Sequence, residues 1–179
     1  MKTLTGEMML SAFKCLDKYL TQPVRIIVGG GGAMTLAHHF PLSTADIDGI
    51  PAAGMSVTEL DCLIKKVASE LSLQVDWLNP YYSTFAHVLP ADYGSRLITV
   101  AKFSHLTVEA LSKEDLLIMK CFAGRQKDVV HARALVRGGA KIAFVRNHIE
   151  FLKSRRIPKA DQALDFLSET EAFFAEKDE

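Results

Sequence analysis

Four consecutive glycines, residues 29–32, follow directly after Val24–Val28, a run rich in β-branched residues. Such a run predicts a short β-strand, and the pattern of residues 33–40 predicts a short helix that ends before Pro41. Glycine has no Cβ, so the backbone of a glycine turn can approach another group more closely than other residues allow. A strand that enters a glycine turn and then a helix indicates a mixed α/β organisation for the N-terminal part of the chain.

Two aspartates follow the predicted helix at a strand-like spacing. Residues 44–50 alternate polar and apolar with a period of two, so Asp46 and Asp48 lie on one face of a predicted strand and Ile47 on the other. At that spacing the two Cα atoms are roughly 7 Å apart, and the carboxylates can hold one or two Mg²⁺ ions between themselves and a triphosphate. The glycine turn and the N-terminus of the following helix would offer backbone amides and a positive dipole to the same phosphates.

Asp76 is a candidate third carboxylate for this site. A helix is predicted over residues 57–71, and residues 74–78 have the pattern of a strand on which Asp76 faces away from Val75 and Trp77. There Asp76 could act as a metal ligand or as a general base toward an attacking hydroxyl. The alternative is that Trp77 anchors the core while Asp76 caps a turn. Each motif alone has an ordinary structural explanation, and only their order and spacing together point to in-line nucleotidyl transfer.

The second part of the chain has a helical pattern. Residues 96–108 predict one or two further strands, and from Ser112 the apolar positions recur at helical spacing. Ser112 and Asp115 form a modified capping box, which marks a helix start. Later helices are predicted over residues 127–137, 140–154 and 159–176, separated by glycine and proline. We therefore expect a core domain at 1–110 and a helical C-terminal extension at 111–179 that packs on it.

Composition and charge set the expected location and partners. No apolar run approaches the length of a membrane span, and the N-terminus lacks a secretion signal. The three cysteines are odd in number and far apart, which is typical of free thiols in the cytoplasm. Residues 120–159 hold eleven Lys or Arg against two acids, although the net charge of the chain is zero. This basic run indicates either an anionic partner or a solvated helix face, with equal weight.

Three segments together resemble a known family. VGGGGAMTLAHHFPLSTADID at 28–48 resembles the GG-x-A…T-x-D-I-D signature of the DNA polymerase beta-like nucleotidyltransferase superfamily. VDWLNP at 75–80 and LLIMKCFAGRQKDVVHARALV at 116–136 are similar to two further elements of its compact prokaryotic branch, which includes the AbiE-type toxins. The resemblance implies an α/β (α+β) nucleotidyltransferase fold, with a small mixed sheet flanked by helices and followed by a helical C-terminal part.

The resemblance also implies an activity and a set of site residues. The activity would be the transfer of a nucleoside monophosphate from an NTP, ATP among them, to an acceptor hydroxyl on tRNA or a protein, with Mg²⁺ or Mn²⁺ as cofactor. Lys120 and Lys127 would neutralise the charge of the leaving pyrophosphate. By this resemblance the metal ligands are Asp46 and Asp48, to which the strand pattern adds Asp76 as the candidate third. The resemblance gives as nucleotide-binding residues Gly30, Gly31, Thr44, Lys120, Arg125 and Lys127, with Asp128 facing the same cleft.

Two positions depart from the branch pattern. Leu42 stands where branch members often carry Arg, and His131 stands where the later Asp of the helical element is found. These departures favour an alternative function, that of a catalytically weak or inactive member that binds a nucleotide or a partner protein, such as a toxin–antitoxin component. A third interpretation, a dinucleotide-binding Rossmann turn, is set aside because the glycine spacing does not fit and the acid pair comes too early.

Overall fold

The computed structural model describes residues 3–41, 44–79 and 81–175. Leu42, one of the two departures from the branch pattern, lies outside the described residues. The chain folds into two compact units. The first unit comprises Met1–Thr84 and Ser95–Leu111, and the second comprises Phe85–Gly94 and Ser112–Glu179.

The first unit is a mixed five-stranded sheet with helices on it, which confirms the predicted fold class. In chain order its elements are α1 (Gly6–Asp17), β1 (Val24–Val28), α2 (Gly30–His38), β2 (Ile47–Ala53), α3 (Val57–Leu71), β3 (Leu78–Asn79), β4 (Ile98–Lys102) and β5 (Leu106–Ala110). The central strand, β1, pairs antiparallel with β2 and parallel with β5, while β3 runs parallel to β2 and β4 antiparallel to β5. The strand order is therefore β3-β2-β1-β5-β4.

The second unit consists mainly of helices, as the periodicity predicts. Its helices are α4 (Lys113–Ala123), α5 (Gln126–Arg137), α6 (Ile142–Ser154) and α7 (Ala160–Ala175). The Ser112 hydroxyl accepts the backbone N–H of Asp115 at 3.2 Å and caps α4, as the capping pattern predicts. Two 3₁₀ helices, Tyr81–Val88 and Tyr93–Arg96, were not predicted. No helix in the described part of the chain is long and apolar enough to cross a membrane.

The predicted elements are largely confirmed, with three differences of detail. The strand at Val24–Val28 and the helix at Val57–Leu71 have the predicted bounds. The predicted glycine turn is wrong in form, because α2 already begins at Gly30 and only Gly29 precedes it as N-cap. Strand β2 begins three residues later than predicted, at Ile47. The predicted strand over residues 74–78 is wrong except for its last residue, since β3 consists only of Leu78–Asn79.

Trp77 explains why residues 74–77 form a turn. Its indole is fully buried, and the ring N–H donates to the Ile64 carbonyl at 3.0 Å. Its backbone N–H donates to the Gln74 carbonyl at 3.1 Å, which closes a turn around the exposed Asp76. A buried aromatic side chain with a satisfied polar atom outweighs the weak preference of a short alternating segment for a strand.

The last residue of α1 fixes the connection between β4 and β5. The Asp17 carboxylate accepts three backbone N–H groups of that connection, from Ser104 at 3.2 Å, His105 at 2.7 Å and Leu106 at 2.8 Å. Hydrogen bonds to a charged acceptor are stronger than those between neutral groups. One side chain therefore joins α1 to a hairpin that lies far away along the sequence.

We expect Asp17→Ala to lower the free energy of unfolding by about 2 kcal/mol, because charged hydrogen bonds are lost together. Urea denaturation followed by circular dichroism would measure it. The matched control is Asp61→Ala on α3, where an exposed i,i+4 ion pair with Lys65 is lost and we expect a change below about 0.5 kcal/mol. Equal effects of the two substitutions would contradict the role assigned to Asp17.

Candidate functional site

The start of α2 is joined directly to β2. Gly29 has an extended backbone, and its N–H donates to the Asp48 carbonyl at 2.8 Å. The Gly29 carbonyl then accepts the N–H of Ala33 at 3.0 Å, the first bond of the helix. Strand β1 therefore leads straight into a helix whose first turn lies against β2.

Gly30 makes room for the Asp48 side chain. Its φ is +56°, and a Cβ built on it would lie 2.0 Å from Asp48 Oδ2 and 3.0 Å from Cγ. No other residue fits at this position, because the conformation is left-handed and the space is taken by the carboxylate. A Cβ on Gly32 would meet Ile47 Cγ2 at 3.0 Å, so the whole first turn of α2 lies close to β2.

Thr44 lies beside the same turn, and its predicted place near the phosphates stays a prediction. Its Cβ and Oγ1 are each 3.5 Å from the position of a Cβ on Gly31. Its backbone pairs with Leu4, whose N–H donates to the Thr44 carbonyl at 2.7 Å. The structure thus brings Gly30, Gly31, Thr44 and Asp48 together at the start of α2.

Asp46 and Asp48 flank a buried residue. Ile47 is fully buried, whereas both aspartates are half-buried, as the period-two pattern predicts. Asp46 comes just before β2 and accepts a hydrogen bond at Oδ2 from the side-chain amide of Asn79, 2.7 Å away. Asn79 lies on β3 in register with Asp48. The two acids are therefore accompanied by an amide on the neighbouring strand.

Asp76 occupies a different setting from the other two acids. It is exposed in the turn before β3, three residues ahead of Asn79. Among residues 3–41, 44–79 and 81–175 there is no group of three or more His, Cys, Asp or Glu that could hold a metal ion. The role of Asp76 as third acid stays a prediction. Asn79 was not predicted as a site residue, although its place in the VDWLNP segment, directly after Trp77 and Leu78, was the available signal.

The predicted basic residues lie in the second unit, where two of them form an ion network. Lys120 is only 5% exposed, and its Nζ lies 2.7 Å from Oδ1 of the fully buried Asp128. Arg125 Nε donates to Asp128 Oδ2 at 2.7 Å, and the Asp128 carboxylate also accepts the Arg125 backbone N–H. Lys127 is exposed on α5. The roles predicted for Lys120, Arg125 and Lys127 at a triphosphate stay predictions. In the structure, Lys120 and Arg125 form a charge cluster with the buried Asp128.

The ion network shifts the pKa values of two groups. Burial raises the pKa of Asp128, but the hydrogen bonds from Arg125 and Lys120 outweigh it and hold this pKa below its usual range. His131 lies nearby, and its pKa is lowered first by burial and then by the positive charge of Lys120. Its Nδ1 is buried and has no hydrogen-bond partner in the part of the chain that the structure describes.

Two of the three cysteines pack in the core, and the third lies on the surface. All three are free, with Cys15 and Cys121 buried and Cys62 exposed. Burial raises the pKa of Cys121 to about 12, so its thiol is protonated at neutral pH and is not a nucleophile.

A strand, a glycine-rich helix start and an acid pair at the start of the next strand are the features on which the resemblance to nucleotidyltransferases rests, and comparison with known proteins agrees with that class. A family model described as "Nucleotidyltransferase of unknown function (DUF6036)" matches residues 7–137. The match covers more than half of the chain, and the protein belongs to this family. The family supports nucleotidyl transfer as the general activity and a nucleotide as the substrate. No curated protein and no solved structure matches the chain.

We expect Gly30→Ala to lower the free energy of unfolding by more than about 2 kcal/mol, because the new Cβ would collide with Asp48 in a left-handed conformation. The matched control is Gly31→Ala, whose Cβ would make an ordinary 3.5 Å contact with Thr44. For this variant we expect no loss, or a gain of about 0.5 kcal/mol from the helix. Urea denaturation measures both, and tolerance of alanine at position 30 would show that the carboxylate does not lie there.

We expect Asp128→Asn to cost about 3–5 kcal/mol, because it leaves the buried Lys120 cation without its counter-charge. Since the pKa of Asp128 is lower in the folded than in the unfolded chain, its contribution is complete above the unfolded value of about 4 and is lost as pH falls through the folded value. As pH falls below about 5, the unfolding free energy of the natural chain should therefore fall more steeply than that of the variant. Parallel pH profiles in urea denaturation would argue against the network.

Proposed function

We propose that this protein is a Mg²⁺-dependent nucleotidyltransferase that moves a nucleoside monophosphate from an NTP to an acceptor hydroxyl, with pyrophosphate leaving. The observation that carries the proposal is the Asp48 carboxylate lying against Gly30 at the N-terminus of α2. Asp46 belongs to the same face and is held by Asn79. An anion-binding helix start beside two carboxylates is the combination that an NTP with its cation requires.

The start of α2 is suited to bind phosphates. Its N-cap, Gly29, has no side chain to bond the first amides, and no acidic residue lies in the first turn. The first-turn amides and the positive end of the helix dipole favour a negative charge here, and the Asp48 carboxylate already lies beside them. In this proposal the backbone of Gly30 and Gly31 contacts the triphosphate, and Thr44 lies beside it.

The donor set fits Mg²⁺ or Mn²⁺. Mg²⁺ prefers oxygen ligands and is commonly held by one or two carboxylates together with substrate phosphates, rather than by a complete protein cage. Asp46 and Asp48 match that requirement and would hold the ion. When bound, the cation neutralises charge that develops on the reacting phosphate. Asp76 remains in the proposal as a further ligand or general base, to be tested by its own variant.

The acceptor is proposed to be an RNA such as tRNA. The support is the basic run, of which Arg155, Arg156 and Lys159 are exposed around the connection between α6 and α7. Other basic residues of α6 are engaged within the protein, since Arg146 pairs with Glu171 and Lys153 with Asp161. Phosphate neutralisation by exposed Lys and Arg supplies most non-specific affinity for nucleic acid. A protein acceptor is the alternative that the experiment below distinguishes.

A binding function without turnover is the second candidate. Its support is the neutral Asn79 at the position in register with Asp48, together with His131 and Leu42. In that case the protein would bind an NTP or a partner protein, for example within a toxin–antitoxin pair of the AbiE type. Both candidates place the protein in the cytoplasm, in agreement with its free thiols.

We expect the protein to transfer label from an α-labelled NTP to RNA in the presence of Mg²⁺ or Mn²⁺. The double variant Asp46→Asn/Asp48→Asn should lose at least about 100-fold in rate, because a bound metal supplies several kcal/mol of transition-state stabilisation. Each NTP is incubated separately with total RNA and with total protein, and the products are resolved on gels. Asp61→Asn, an exposed acid on α3, is the matched control and should leave the rate unchanged.

The outcomes separate the candidates. Label on protein but not on RNA would contradict the proposal that RNA is the acceptor, but it would still support transferase activity. NTP binding in calorimetry without transfer to either acceptor would favour the binding function. An Asp76→Asn variant is run in parallel: loss comparable to that of the double variant supports a third acid, and an unchanged rate removes Asp76 from the site.

A further inference from the structure

The hydrogen-bond partner of the Asp46 carboxylate is a neutral side-chain amide on the neighbouring strand, β3. Asn79 lies on β3 in register with Asp48, and its Nδ2 donates to Asp46 Oδ2 at 2.7 Å. The side chain is half-buried, so bulk water competes only partly for this bond. Asn79 thus donates a side-chain hydrogen bond to Asp46, and its backbone lies opposite Asp48 on the neighbouring strand.

We propose that Asn79 is a positioning residue, whose side-chain amide fixes the orientation of the Asp46 carboxylate for a divalent cation. The inference rests on the proposed function, because it concerns the same acid pair. The bond uses one of the two carboxylate oxygens and limits rotation of the Asp46 side chain. A preorganised carboxylate loses less conformational freedom when it binds a cation than a mobile one does.

Residue chemistry explains why an amide suits this position. An ionised Asp can accept hydrogen bonds but cannot donate one, so it could not hold Asp46 in the way Asn79 does. It would also add a like charge next to two carboxylates, which is unfavourable until a cation arrives. Asn79 supplies the donor without the charge. Groups that orient metal ligands in this way commonly change metal affinity by about 10- to 100-fold when they are replaced.

The test measures Mn²⁺ binding by the loss of the electron paramagnetic resonance signal of the free ion. Asn79→Leu keeps the approximate size of the side chain but removes the donor. Asp46→Asn and Asp48→Asn report on the acid pair itself. Asn147→Leu, at an exposed position of α6, is the control for the substitution. Unfolding temperatures verify that each variant is folded.

We expect Asn79→Leu to bind Mn²⁺ about 10- to 100-fold more weakly than the natural chain, with Asn147→Leu unchanged. Unchanged affinity in Asn79→Leu would overturn the inference alone, provided that the Asp46 and Asp48 variants lose binding. If the Asp46 and Asp48 variants bind as the natural chain does, the metal site of the proposed function fails, whatever the Asn79 variant shows.

Discussion

The close approach of α2 to β2 at Gly30 is the contact on which the candidate site depends. A helix start normally stands away from a neighbouring strand by the thickness of its side chains, but the glycines remove that layer. The Asp48 carboxylate occupies the space that a Cβ would take, and the Gly29 N–H holds the Asp48 carbonyl. The same contact therefore fixes the start of α2 against β2 and the place of the Asp48 carboxylate.

The two polar clusters of this protein differ in how their charges are compensated. In the first unit, the acid pair is half-buried and is accompanied by the neutral Asn79. In the second unit, the Asp128 charge is compensated inside the protein by Lys120 and Arg125. A compensated buried cluster stabilises structure, whereas a half-buried pair of like charges favours an external cation. This contrast is why the proposed chemistry is assigned to Asp46 and Asp48 and not to the buried ions.

Much of the fold could be predicted from sequence because its signals are local. The strand at Val24–Val28 and the helix at Val57–Leu71 follow from residue pattern and caps. The errors fall where tertiary contacts decide. The glycines become helical because they pack on β2, and residues 74–77 turn because the indole of Trp77 is buried.

The candidate site could be predicted only in part. The spacing of Asp46 and Asp48 predicts that they share one face. The sequence does not predict that Asn79 is their neighbour, because strand register is set by pairing between distant segments.

The parallel pairing of β1 with β5 has a consequence for how the protein is made. Val24 pairs with Leu106, so the central strand of the sheet lacks one neighbour until most of the first unit has been synthesised. Contacts between residues so far apart close a long loop and slow folding. A ribosome-bound chain that ends before β5 would expose one edge of β1, a surface on which unfinished chains can associate. The order of strands that creates the site thus also lengthens the time during which the nascent chain needs protection.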